Sequence, residues 1–122
     1  MLLAEKIVTI VDRGAANTRW RDFLDVLKVS EKCTVDGNEL IMSTETVGAY
    51  RSVKLHQLTA TLKDMDSIAQ TKWSSWRKKQ HLEDVSPESF TDLSAKLITF
   101  ADPPLKGAAK NKTWNPLQQS WD

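Results

Sequence analysis

Apolar residues recur at helical spacing along most of the chain. Leu3, Ile7, Ile10 and Val11 stand at i, i+4, i+7 and i+8, one stripe of a helix over about residues 2–13, with Gly14 as its stop. Trp20, Phe23, Leu24 and Leu27 repeat the pattern, with Asn17 or Thr18 as N-cap and an end near Val29. Asp36 with Glu39 three positions later reads as a capping box opening a third helix through Leu40, Ile41, Val47 and Tyr50. Leu55 to Leu62 forms a short helix or turn. Asp64 or Asp66 then caps a fifth helix to about Leu82, whose stripe is Met65, Ile68, Ala69, Trp73 and Trp76. Ser86-Pro87-Glu88 is a helix start, a polar cap followed by proline and an acid in the first turn. Phe90, Leu93, Leu97 and Phe100 line that last helix, which should end before Asp102-Pro103-Pro104.

No alternation of strand length is present, so the expected class is all-α with at most a short β pairing. The expected architecture is a compact bundle of five or six helices over residues 1–104. Residues 105–122 form an extended tail, held on the bundle by its tryptophans, Trp114 and Trp121.

A chain of 122 residues suits one modest core. With 17 basic and 16 acidic residues the net charge is +1, so attraction to nucleic acid or membrane must be local. The single cysteine, Cys33, rules out an internal disulfide, and two histidines give no Cys/His metal spacing, so no metal site is expected. Neither a signal-peptide start nor an apolar run of the roughly 20 residues that span a bilayer is present. The expected location is the cytoplasm, away from membranes.

The candidate chemistry lies on the first two helices. Lys6, at the polar edge of helix one, can offer phosphate a point charge on a flexible stem, or can be a surface lysine paired with an acid. Asp22 and Asp25, at i and i+3, can hold a metal or orient a hydroxyl; they can equally form a salt-bridged face with Arg19 and Arg21. Further along, Lys72, Arg77, Lys78 and Lys79 surround Trp73 and Trp76, a composition suited to RNA phosphates and base stacking. The spacing of the two rings also fits the core, which is the preferred reading. His56, His81 and Cys33 lack partner motifs.

Leu3-Ala4-Glu5-Lys6, Thr18-Arg19-Trp20-Arg21-Asp22-Phe23-Leu24-Asp25, Ala69-Gln70-x-Lys72-Trp73-x-x-Trp76-Arg77 and Phe100-Ala101-Asp102-Pro103 follow one another in the order of a known family. Together they resemble the C-terminal helical half of the AbiEii/AbiGii (MenT-like) nucleotidyltransferase toxins. The resemblance implies a type IV toxin–antitoxin context, nucleotidyl transfer to tRNA and a cognate antitoxin. It also places the helical half's lysine and aspartate on Lys6 and Asp22, with Asp25 as a second carboxylate. The family's core carries a Gly-Ser motif and an Asp-x-Asp that binds magnesium and a nucleoside triphosphate. This sequence has no Gly-Ser, and its one Asp-x-Asp, Asp64-Met65-Asp66, reads as a helix cap.

Without that carboxylate platform the chain should not catalyse transfer alone, since charge neutralisation supplies most phosphoryl-transfer catalysis. The expectation is a non-autonomous domain that needs no cofactor by itself, and takes magnesium and a nucleoside triphosphate when a separate nucleotidyltransferase core completes it. The alternative is an RNA- or protein-binding helical module without chemistry. With Met1 as the start, the apolar stripe of helix one would lie open and favour a homodimer or another partner.

Overall fold

The computed structural model describes residues 2–14, 19–62 and 67–122, the side chains of residues 67 and 68 excepted. Its described helices are α1 (Leu2–Arg13), α2 (Trp20–Lys32), α3 (Gly37–Tyr50), α4 (Leu58–Leu62), α5 (Ser67–Lys79) and α6 (Phe90–Leu105). A small antiparallel sheet of β1 (Val35–Asp36), β2 (Thr113–Asn115) and β3 (Ser120–Trp121) joins them, in the order β1-β2-β3. The molecule is a helical bundle, as the periodicity predicts. The expected caps at Asn17 or Thr18 and at Asp64 or Asp66, and Met65 of the fifth stripe, lie outside the described residues.

Helix α1 is more central than its single stripe implies. Ala4, Ile7, Val8, Thr9, Ile10 and Val11 are all buried, because α2 packs on one side of the helix and α3 on another. The face expected to seek a second chain is therefore covered within the bundle, and Leu2 is the strongly exposed apolar residue of α1. The apolar face offers no support for a homodimer. From α2, Trp20, Phe23, Leu24, Val26 and Leu27 enter the same core, where Trp20 meets Phe23 and Phe90 edge to face.

Asp36 caps α3 as expected, accepting the Glu39 amide at 3.1 Å. Gly37 follows because only a residue without Cβ fits there: a Cβ would stand 2.0 Å from the Ala109 carbonyl oxygen, and its own amide donates to the Lys112 carbonyl. That close approach seats the C-terminal segment against α3.

Helix α6 departs from expectation at both ends. It starts at Phe90, capped by Ser89, because residues 86–88 are held as a loop by α5: the Trp73 indole donates to the Pro87 carbonyl and the Gln70 amide to that of Glu88. It also runs through Pro103 and Pro104 to Leu105. Pro104 has no N–H for the Phe100 carbonyl, but the Trp121 indole donates to that oxygen at 2.9 Å and fills the gap. Asp102, which the following proline would disfavour in a helix, is fixed there by its buried carboxylate, which accepts the Leu58 amide and the Thr59 hydroxyl at the start of α4. Trp121→Phe keeps the ring stacked on Phe100 but removes the donor. Urea unfolding should show a loss of about 1–2 kcal/mol; an unchanged midpoint would mean that the helix carries its prolines unaided.

The C-terminal segment is a hairpin rather than a plain extended tail. Trp114 pairs with Val35 on one side and Trp121 on the other, and its fully buried indole donates to the Ser30 carbonyl at 2.8 Å. Trp114 and Trp121 both pack on Phe100, one edge to face and one stacked, and on each other, so the three rings join the segment to the bundle as one cluster.

Candidate functional site

Packing of α1 on α2 brings together the three residues expected to share a site. The Lys6 Nζ lies 2.8 Å from Asp25 Oδ2 and 3.4 Å from Asp22 Oδ1. The hydrogen bond that Lys6 donates to Asp25 raises the Lys6 pKa above the ordinary 10.5, against partial burial that lowers it, so the side chain is an ammonium at neutral pH. Asp22 is only 1% exposed. Its Oδ2 faces the Arg19 Nε at 3.3 Å without a hydrogen bond, although it is buried. A buried carboxylate oxygen left in this state is expensive for the fold.

The expected Arg19–Asp22 pair is thus present, whereas Arg21 does not pair with Asp25. Its guanidinium lies over the Trp76 ring, 5.4 Å from the centroid, and Lys6 takes Asp25 instead. The two carboxylates converge on the Lys6 ammonium rather than on an open coordination site. As placed, they do not fit a magnesium ion.

Two residues join the site that the sequence pattern does not mark. Arg51, at the C-cap of α3, donates through Nη1 to the Thr9 hydroxyl at 3.0 Å and to the Glu5 carbonyl at 3.3 Å. Lys6, Thr9, Arg19, Asp22 and Arg51 line a shallow cleft of about 300 Å³. Arg51 lies 42 positions from Thr9 in a segment of weak helical pattern, so only the packing of α3 on α1 reveals it.

The second candidate cluster divides. Lys72, Lys78 and Lys79 are exposed on α5. Arg77 is not part of that surface: it is 7% exposed, with Nε on the Ser86 hydroxyl and Nη2 on the Glu83 and Ser86 carbonyls, and it fastens the loop between α5 and α6. Trp73 is in the core, and Trp76 lies between Trp73, stacked at 5.5 Å, and Arg21, so its faces are not open to a base. Helix α5 stops at Lys79, short of the expected Leu82, as His81 takes a left-handed backbone. His56 and Cys33 are exposed, and among the described residues no cluster of three or more His, Cys, Asp or Glu is placed to hold a metal.

A family model described as nucleotidyl transferase AbiEii toxin, type IV TA system, matches residues 1–98, which include Lys6, Asp22, Asp25 and Arg51. The chain belongs to the AbiEii family. Neither the curated proteins nor the solved structures give a match. Within this AbiEii chain the matched stretch holds α1 to α5 and most of α6, and the β2–β3 hairpin that closes the core lies beyond it. No described helix is long and apolar enough to cross a membrane.

Proposed function

We propose that this chain is the helical half of an AbiEii-type nucleotidyltransferase toxin, supplying Lys6 and Asp22 to a transfer site on tRNA that a separate catalytic core completes. The observation that carries this reading is the meeting of Lys6 with Asp22 and Asp25, in which Asp22 Oδ2 is buried without a hydrogen bond. A purely structural ion pair gains nothing from leaving that oxygen, 3.3 Å from the Arg19 Nε, without a hydrogen bond, whereas a site that receives a substrate hydroxyl needs an acceptor in that condition. Lys6 then offers a fixed positive charge to the transferring phosphate. Magnesium, held with the nucleoside triphosphate by the core's Asp-x-Asp, would supply charge neutralisation that no carboxylate pair among the described residues is arranged to give. Membership of a type IV toxin–antitoxin family supports a cognate antitoxin as a further partner.

The test combines the purified chain with labelled nucleoside triphosphates, magnesium and total tRNA, with and without a polypeptide bearing the Gly-Ser and Asp-x-Asp core. Label should reach tRNA only when both polypeptides are present. Transfer by this chain alone would overturn the requirement for a core, and no transfer with both would overturn the proposal.

The exposed Lys72, Lys78 and Lys79, none in an ion pair among the described residues, favour a second reading, an RNA-binding helical module. On that reading Lys78→Glu should weaken retention of tRNA on a filter severalfold at moderate salt, with no change in melting temperature. Arg77→Met should do the opposite, lowering stability by about 1–3 kcal/mol while tRNA affinity holds. Equal effects of both variants on tRNA would return Arg77 to the binding surface.

A further inference from the structure

Among the described residues the Lys6 cleft contains one cation that the ion-pair network leaves uncompensated, and we infer that Arg51 is its anion-binding group, receiving the phosphate of a phosphorylated ribose whose hydroxyl is accepted by Asp22 Oδ2. The inference rests on the nucleotidyl-transfer reading for the site's purpose and adds to it the residue that grips the substrate. Thr9 spends its one hydroxyl proton on the Glu5 carbonyl at 2.8 Å, so its oxygen is an acceptor toward Arg51. That contact and the one to the Glu5 carbonyl both use Nη1. Arg51 has no carboxylate partner among the described residues, and its Nε and Nη2 make no hydrogen bond there.

A guanidinium anchored by one nitrogen with two donors unspent is arranged for bidentate contact with a phosphate. Lys6 and Arg19 cannot serve as freely, since each is already engaged with Asp22. The acceptor half of the cleft is independent evidence of a ligand: Asp22 is buried and its Oδ2, although 3.3 Å from the Arg19 Nε, accepts no hydrogen bond. A simple anion would be repelled by that carboxylate and by Glu5 at the rim. A ligand that carries both a phosphate and a hydroxyl satisfies both sides. Free nucleoside triphosphate and the terminal nucleotide of an RNA share that chemistry.

Calorimetric titration of the chain with the four nucleoside triphosphates, with tripolyphosphate and with a 5′-phosphorylated RNA oligonucleotide separates the sources. Arg51→Gln should weaken whichever ligand binds by about tenfold to a hundredfold, Arg51→Lys by less, and Lys106→Gln, which removes an equal charge elsewhere, not at all. Asp22→Asn should weaken the ribose-bearing ligands while tripolyphosphate binds as well or better. Arg51 is exposed at a helix end, so circular dichroism should be unchanged in the Arg51 variants. Absence of binding by the wild-type chain, or equal affinity of Arg51→Gln, would overturn the inference. Arg51-dependent binding with no transfer in the two-polypeptide assay would leave the inference standing and remove the nucleotidyl-transfer reading; transfer that survives Arg51→Gln at full rate would remove the inference alone.

Discussion

Asp22→Asn should leave the fold as stable as before, within about 1 kcal/mol, while transfer to tRNA in the presence of the core falls by about a hundredfold or more. The two effects separate because of how the carboxylate is held. Its charge is almost wholly removed from water, yet its contacts are a 3.4 Å bond from Lys6 and an Arg19 side chain in poor hydrogen-bonding geometry. Neutralising it removes a desolvation penalty of the same order as the attraction lost, and Lys6 keeps its shorter bond to Asp25. Lys6→Ala should behave differently, since it leaves Asp22 buried with Arg19 alone. That change should lower stability by about 2 kcal/mol, less than the 3–5 expected for a fully buried pair because the Lys6 side chain keeps 20% of its surface exposed. Thermal melts and transfer rates on the same preparations decide the matter: an Asp22→Asn protein that melts much earlier would mark Asp22 as a structural ion-pair partner.

Trp114→Ala should be the most damaging single change to the fold, at about 3–5 kcal/mol, a large share of the stability of a domain this size. The ring is fully buried, meets Phe100 and Trp121, and donates to the Ser30 carbonyl, so its loss opens a large cavity and removes that hydrogen bond, leaving the carbonyl with the Gln119 side-chain amide as donor. Chemical denaturation should show the shift, and a loss below about 1 kcal/mol would mean that the hairpin is an appendage and the helices hold their own core. The same reasoning predicts that removing residues 106–122 leaves a chain that does not fold cooperatively, although those residues lie outside the family match.

The helices were legible because burial imposes a period on them, and Ile7, Phe23, Leu40, Trp73 and Leu97 all point inward as their spacing requires. The pairing of Lys6 with Asp22 and Asp25 was legible through the family's motif order, and their mutual distances follow from the packing of α1 on α2. What could not be read shares one cause: it depends on contacts between distant parts of the chain. Pro103 and Pro104 are helix breakers by any local rule, and the contacts that offset them, the Trp121 indole on the Phe100 carbonyl and the Asp102 carboxylate on the start of α4, come from elsewhere in the chain. Strands of two and three residues are too short to show alternation, so Trp114 looked like a point of attachment rather than a partner of Val35. Arg77 sits in a run of cations and was grouped with them; the carbonyls of Glu83 and Ser86, which bury it, carry no signal in a residue string. Arg51 was missed for the same reason.

The seating of Trp114 on the Ser30 carbonyl, across 84 positions of sequence, also bears on how the fold is reached. Each helix can form early from local contacts, but the core cannot close until β2 has found β1, and that search spans most of the chain. A bundle of this helical content would ordinarily collapse and lock quickly. Here closure depends on a long-range strand pairing, so folding should be slowed by the smallest sheet in the molecule rather than by its helices.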